Sequence, residues 1–279
     1  MSIKSSMTIE ELILSGVVRE FKGAVVDSST DTSLPLVLLN PKSRTIEVAP
    51  SVSVRLIVAC TQSSQGGVEL FLAENSSVEM VNLYLADSYV NVTVHQSLGS
   101  QCKTMTALLS STNVTYNYLL EGEYCSNAFD GLFMAMGSDH ATLNLTTRHL
   151  KANCNSNSTV KGVSAGRATG EFHGLVYVAP DAQHTDAQQQ NRNIELDDSH
   201  IVALPQLEIY ADDVRCSHGS TVGYSDEQAI FYMRQRGLTE SYARRLQIEG
   251  FVGEVVNRCN MEEICCFVRD IVSQKMSEI

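Results

Sequence analysis

Apolar and polar positions along this chain follow two different periods, and the change comes at Ser225. From about Thr45 to Val222, short apolar runs recur roughly every 10 to 12 residues, the spacing of successive strands. Val68–Leu72, Val78–Leu85, Val90–Val94, Val114–Leu120 and Ala141–Leu145 are examples, some alternating with polar residues and some continuous. The breaks between them, such as Glu74-Asn75-Ser76-Ser77, Gly99-Ser100 and Gly137-Ser138-Asp139, are built from residues that favour turns. Upstream, Thr8 to Ser15 predicts a short helix that Thr8 caps and Gly16 ends, followed by strands over Val17–Val26 and Leu34–Leu39.

After Ser225 the apolar spacing becomes helical. One helix is expected from Ser225, with Gln228 completing a capping box, to a stop at Gly237. A second starts at Thr239 and places Ala243, Leu246, Phe251, Val252 and Val255 on one stripe. A third runs from Met261 to about Met276 with Ile264, Cys265, Val268, Ile271 and Val272 aligned. The chain therefore divides into a short N-terminal segment over 1–39, a β core over 40–224 and a helical region over 225–279. That last region reads as a cap on the end of the β core and as a surface for a partner.

So many short strands fit a sandwich, a barrel or a solenoid. The length exceeds one sandwich and the Ser/Asn-rich breaks suit the corners of stacked coils, which favours the solenoid although no strict repeat is visible. Gly162, Gly166, Gly170 and Gly174 recur every four residues and read as corner positions. They form no phosphate loop, because Gly-Lys-Ser/Thr occurs nowhere in the chain.

Composition narrows the classes further. With 279 residues, 43% of them hydrophobic, the chain can bury a sizeable core. A net charge of −12 makes nucleic acid and anionic membrane surfaces poor partners. No apolar run approaches the roughly 18 residues of a membrane-spanning helix. The N-terminus carries Glu10 and Glu11 and does not read as a secretory signal, so the eight scattered cysteines are expected to be free thiols in a reducing cytoplasm. Most of them, Cys265 and Cys266 included, read as small core residues.

No catalytic constellation stands out. None of the seven histidines sits in a His-Glu-x-x-His pattern, and no Gly-x-Ser-x-Gly elbow occurs. The candidate chemistry lies beyond a strand expected over Leu207–Val214, with Leu207, Ile209 and Ala211 on one face. Cys216 and His218 follow two residues apart, and in an extended segment such residues point to the same side. A thiol and an imidazole aimed at one point suit a soft metal, but they are two donors where a closed zinc site takes four. The competing reading is a buried thiol beside a hydrogen-bonded histidine. A polysaccharide-cleaving β-helix enzyme using Asp212 and Asp213 is a second class, and a purely structural interaction module a third. Adjacent strand residues face opposite sides, and the chain has no Trp for sugar stacking, which weighs against the enzyme.

The whole string around these residues carries more than the spacing. LEIYADDVRCSHGSTVG over 207–223, DEQAIFYMRQRGL over 226–238, and the upstream stretches Ala182–Gln188 and Asn191–Leu196 resemble the SufB/SufD family of scaffold subunits of the SUF iron–sulfur cluster assembly system. The dense resemblance covers about residues 160–258, and Cys-Ser-His-Gly-Ser-Thr-Val-Gly has the form of the SufD branch, where the SufB branch tends to carry a His-Glu pair. The resemblance implies a mainly β chain, a right-handed parallel β-helix followed by a small C-terminal helical region. It also implies a non-catalytic scaffold that binds no nucleotide itself. Its partners would be a SufB-like subunit at the last coils and a SufC-like ATPase at the C-terminal helices, and it leaves a homodimer of the isolated chain open. An iron–sulfur cluster would be held transiently and shared with the SufB-like subunit. His218 is the first candidate donor to that cluster and Cys216 the second, with Asp212 or Asp213 as an acceptor behind the imidazole. Subunits of this family commonly carry a longer N-terminal helical region, and here the strand pattern begins almost at once.

Overall fold

The computed structural model describes residues 8–277. Consecutive strands go alternately to a nine-stranded and an eight-stranded sheet. Within each sheet every strand pairs in parallel with the strand two before or two after it, as Ser53–Cys60 does with Ser77–Tyr84 and Ser77–Tyr84 with Gln101–Leu108. This is a parallel β-helix. Its coils are unequal: Ser126, Asn155, Asp186 and Arg215 stand opposite one another at different sequence separations, so no fixed period shows in the sequence. Both sheets start before residue 40, with Arg19–Glu20 beside Leu36–Leu39 and Val25–Val26 beside Ser43–Val48. The expected Val17–Val26 strand is thus two short strands divided between the sheets.

Corners explain the polar breaks. Ser51, Asn75, Gly99, Tyr124, Asn153 and His184 all have positive φ and occupy successive coils, and Ser, Asn and Gly predominate because they tolerate that conformation or its turn. A second set comprises Gly137, Gly166 and Asp197. Of the four evenly spaced glycines, then, only Gly166 is at a corner. Gly162, Gly170 and Gly174 lie inside strands. A Cβ at Gly162 or Gly170 would run into the Phe133 ring, and one at Gly174 would run into the side-chain amide of Gln189. They clear space in the interior, a use that spacing alone does not distinguish from a turn.

The two kinds of apolar run also have a structural cause. Thr112–Leu120, in the eight-stranded sheet, alternates strictly between buried and half-buried residues because its outer face meets solvent. Ser53–Cys60 and Ser77–Tyr84, in the nine-stranded sheet, are buried on both faces over most of their length. Helices cover that outer face. Helix α1 (Ile9–Leu14) is closed by the expected Thr8–Glu11 capping box. Helices α2 (Glu227–Gln235), α3 (Glu240–Val256) and α4 (Glu262–Met276) follow the β core. Asp226, not Ser225, caps α2: its carboxylate accepts from the backbone N–H groups of Gln228 and Ala229. Thr239 caps α3 as expected.

Helices α3 and α4 do not cap the last coil. They run back over the nine-stranded sheet, where Ile248, Val252, Ile264, Val268 and Val272 join Ile57, Val81, Leu83, Leu132 and Val163 in one buried cluster. Polar anchors fix them there: Arg55 pairs with Glu263, Arg258 Nη1 lies 2.6 Å from Asp130 Oδ1, and Lys275 Nζ 3.2 Å from Asp139 Oδ2. The most buried anchor is Lys161, whose ammonium donates to the Phe251 carbonyl at 2.9 Å and to Glu254. Its side chain is 2% exposed while that of Glu254 is 57% exposed. That hydrogen bond holds the Glu254 carboxyl below its ordinary pKa. Glu254→Ala removes the counter-charge of the buried ammonium, leaving it the Phe251 carbonyl, and is expected to cost about 2 kcal/mol in urea unfolding. Lys161→Met leaves a solvated carboxylate and a Phe251 carbonyl without the ammonium but no buried charge, and is expected to cost less than half as much; an equal or reversed order would contradict the role of the anchor.

The interior changes character toward the C-terminal end. In one inward column Phe129 stands beside Ser158, then Gln189, then His218. In the next, Val160 is followed by Asn191 and Ser220, and in a third Phe133 gives way to Gly162, Asn193 and Val222. Along these columns the inward side chains turn from aromatic and aliphatic to largely polar over the last two coils.

Candidate functional site

The chain reaches the site through a corner. The strand His200–Ile209 belongs to the eight-stranded sheet and stops at Ile209; Arg215–Gly223 is the last strand of the nine-stranded sheet. The residues between form a turn, so the single strand expected over Leu207–Val214 is not made. Asp212 and Asp213 are exposed in this turn. The backbone N–H of Asp213 donates to Gln183 Oε1 at 2.9 Å, and its carbonyl accepts from the His184 N–H at 2.7 Å. Two consecutive acidic residues favour such a solvated corner over a ladder position.

Cys216 and His218 both lie in Arg215–Gly223, opposite Ala187 and Gln189 of the strand Asp186–Glu195. The expected common orientation holds, and both face the lumen. Cys216 is half-buried and packs near Leu207, Ala211 and Val214, whereas His218 is exposed. The strand has a neighbour on one side only, since Arg215–Gly223 ends the nine-stranded sheet and His200–Ile209 ends the other. The Arg215 N–H donates to Thr185 O at 2.8 Å. Because successive residues of a strand alternate the direction of their backbone groups, Cys216, His218, Ser220 and Val222 turn theirs to the open edge. Among the described residues no further coil covers the lumen. Ile209 and Val222, both inward-facing, remain 39% and 42% exposed for that reason.

Burial pushes the Cys216 thiol pKa up, and the nearby Asp186 carboxylate adds to the rise. The residue is a protonated thiol at neutral pH, a poor nucleophile that a bound soft metal would deprotonate. Among the described residues no group of three or more His, Cys, Asp or Glu side chains is placed to hold a metal ion. Cys216 and His218 therefore supply half of a tetrahedral donor set. Of the two acceptors expected behind His218, Asp213 faces His184, with Oδ2 3.0 Å from Nδ1, and Asp212 is exposed in the turn. Cys265 and Cys266 diverge. Cys265 is buried and donates to the Cys259 carbonyl at 3.0 Å, while Cys266 is exposed.

Sequence reasoning missed Gln189. It is 1% exposed, and neither its amide oxygen nor its amide nitrogen has a hydrogen-bond partner among the described residues. The available signal was the strand Asp186–Glu195 itself, in which Gln189, Asn191 and Asn193 occupy inward positions that an apolar core would fill differently.

A second exposed feature lies on the helices. With the stripes of α3 and α4 buried, Phe231 and Tyr232 of α2 stand 62% and 58% exposed, with Tyr224 and Tyr242 also exposed.

The fold defines the chain as an open-ended parallel β-helix with helices laid over one sheet. Residues 39–251 match the family model of the SUF system FeS cluster assembly, SufBD core domain, and the chain belongs to that family. It is 36% identical over 137 residues to the iron–sulfur cluster assembly protein SufD of Escherichia coli, a match covering 49% of this chain and 32% of that protein. An iron–sulfur cluster assembly SufBD family protein of Synechocystis is 32% identical over 218 residues, 74% of this chain and 47% of its own length. One from Mycobacterium leprae is 29% identical over 193 residues, 64% of this chain and 49% of its own. The matched stretches thus span about half or less of these relatives. No described helix is long and apolar enough to cross a membrane.

Proposed function

We propose that this chain is a non-catalytic scaffold subunit of iron–sulfur cluster assembly, working in the cytoplasm, where its cysteines stay reduced. A SufB-like subunit continues its last coil, and a cluster forms at the junction as transient cargo. His218 is the first donor from this chain and Cys216 the second. The observation that carries the reading is the open last coil. Two parallel sheets end there with unpaired edges, exposed inward-facing apolar residues and a thiol–imidazole pair that is half a donor set. Unpaired edges recruit strands from other chains unless they are protected, so this end requires a partner in function. Clusters prefer thiolate and accept imidazole, and a mixed set split between two subunits lets the cluster go.

A SufC-like ATPase docks on α2 and supplies the nucleotide chemistry for which this chain has no phosphate loop. Phe231 and Tyr232 are the anchors, since the apolar stripes of α3 and α4 are already used against the sheet. The carbohydrate-enzyme reading is set aside, because its acid–base pair lies in an exposed turn with Asp213 engaged by His184 and the family match speaks for assembly.

Co-expression of the full chain with a SufB-like and a SufC-like subunit tests the reading. A three-component complex is expected, and Phe231→Ala with Tyr232→Ala is expected to weaken ATPase retention by at least about tenfold while the SufB-like subunit stays bound. Failure to recover any complex, or unchanged ATPase retention by a folded double variant, would contradict it.

A further inference from the structure

We propose that Gln189 is a positioning residue for His218: its side-chain amide takes up the imidazole when the last coil is closed by the partner subunit, fixing which ring nitrogen faces the cluster. This rests on the assignment of His218 as a donor. Gln189 and His218 are register partners on adjacent strands and both face the lumen. Strands so paired lie about 4.8 Å apart, so the amide and the ring occupy neighbouring layers within reach of one hydrogen bond. A histidine that binds a metal through one nitrogen almost always donates the other N–H to an oxygen acceptor, which sets tautomer and ring orientation.

Of the inward side-chain amides beside His218, Gln189 offers an unengaged acceptor. Asp213 is engaged by His184. Asn191 Oδ1 accepts from Asn193 Nδ2 at 2.6 Å and from Ser220 at 3.1 Å, and Asn193 Oδ1 accepts from Asn191 Nδ2 at 3.3 Å. Gln189 alone of the three inward amides has both ends unengaged, and it is buried in that state. An unsatisfied buried amide costs about 1–3 kcal/mol, a penalty that Leu or Met at this position would not carry. The fold also makes room for it. Gly174, across the lumen, lacks the Cβ that would strike the Gln189 amide nitrogen and carbon.

This assignment predicts opposite signs for two measurements on one variant. Gln189→Leu removes the unsatisfied amide, so the melting temperature of the chain is expected to stay level or rise. Cluster content of the complex assembled from the full chain and its SufB-like and SufC-like partners is expected to fall at least about fivefold, with complex formation intact. Gln189→Glu keeps an oxygen acceptor in place and is expected to recover most of the loading. In a His218→Ala background, Gln189→Leu is expected to have no additional effect.

The outcomes separate the two assignments. Loss of cluster in His218→Ala with normal loading in Gln189→Leu overturns the role of Gln189 alone. Normal loading in His218→Ala overturns both. A melting temperature and a cluster content that fall together in Gln189→Leu, without recovery in Gln189→Glu, mark a packing residue and also overturn the proposal.

Discussion

Val222→Pro is expected to leave the chain folded and to weaken its pairing with a SufB-like subunit by about a hundredfold. The Val222 N–H faces the open edge of the last strand, so proline there removes a donor that the chain itself does not use. Proline at the next position back is the control. Thr221 turns its N–H toward the strand Asp186–Glu195, and Thr221→Pro breaks a ladder bond inside the chain. Proline within a sheet removes a ladder bond and leaves the opposing carbonyl unpaired, at a cost of up to about 3 kcal/mol. In Val222→Pro that cost falls on the interface, where it corresponds to about two orders of magnitude in affinity. In Thr221→Pro it falls on the fold and lowers the melting temperature. Titration of folded Val222→Pro with the SufB-like subunit measures this, and an unchanged dissociation constant would mean that the subunits do not meet by strand addition.

Much of the architecture was legible because local chemistry decides it. Thr8 with Glu11, Thr239, and the stops at Gly16 and Gly237 set helix ends through caps and backbone angles that lie within a few residues of one another. The contrast between alternating and continuous apolar runs was visible too, and its meaning is that one sheet faces solvent while the other is covered. Where the covering helices go was not legible. An apolar stripe such as Ile264, Val268 and Val272 states that one face is buried, but contains nothing about which surface buries it. The expected cap on the last coil was wrong for that reason, and the correction leaves the coil open.

The site shows the same division. That Cys216 and His218 share a side follows from the two-residue period of a strand and holds. Their surroundings depend on contacts distant in sequence. Asp213 looked close to His218 along the chain, yet the corner carries it to His184. Gln189 lies far from His218 in sequence and next to it in the sheet. Gly162, Gly170 and Gly174 mimicked corners because glycine serves both turns and close packing, and only the position of Phe133 and Gln189 separates the two uses.

We propose that the lumenal histidine at the open end helps hold the cluster. In the complex of the full chain with its SufB-like and SufC-like partners, His218→Ala and Cys216→Ser are made separately and assembly is verified. Iron and sulfide per complex are then measured after reconstitution. At least about a tenfold loss is expected for His218→Ala and a smaller loss for Cys216→Ser, whose half-buried thiol must first give up its proton. Normal iron and sulfide in an intact His218→Ala complex would contradict it and leave the pair as ordinary residues of an interface.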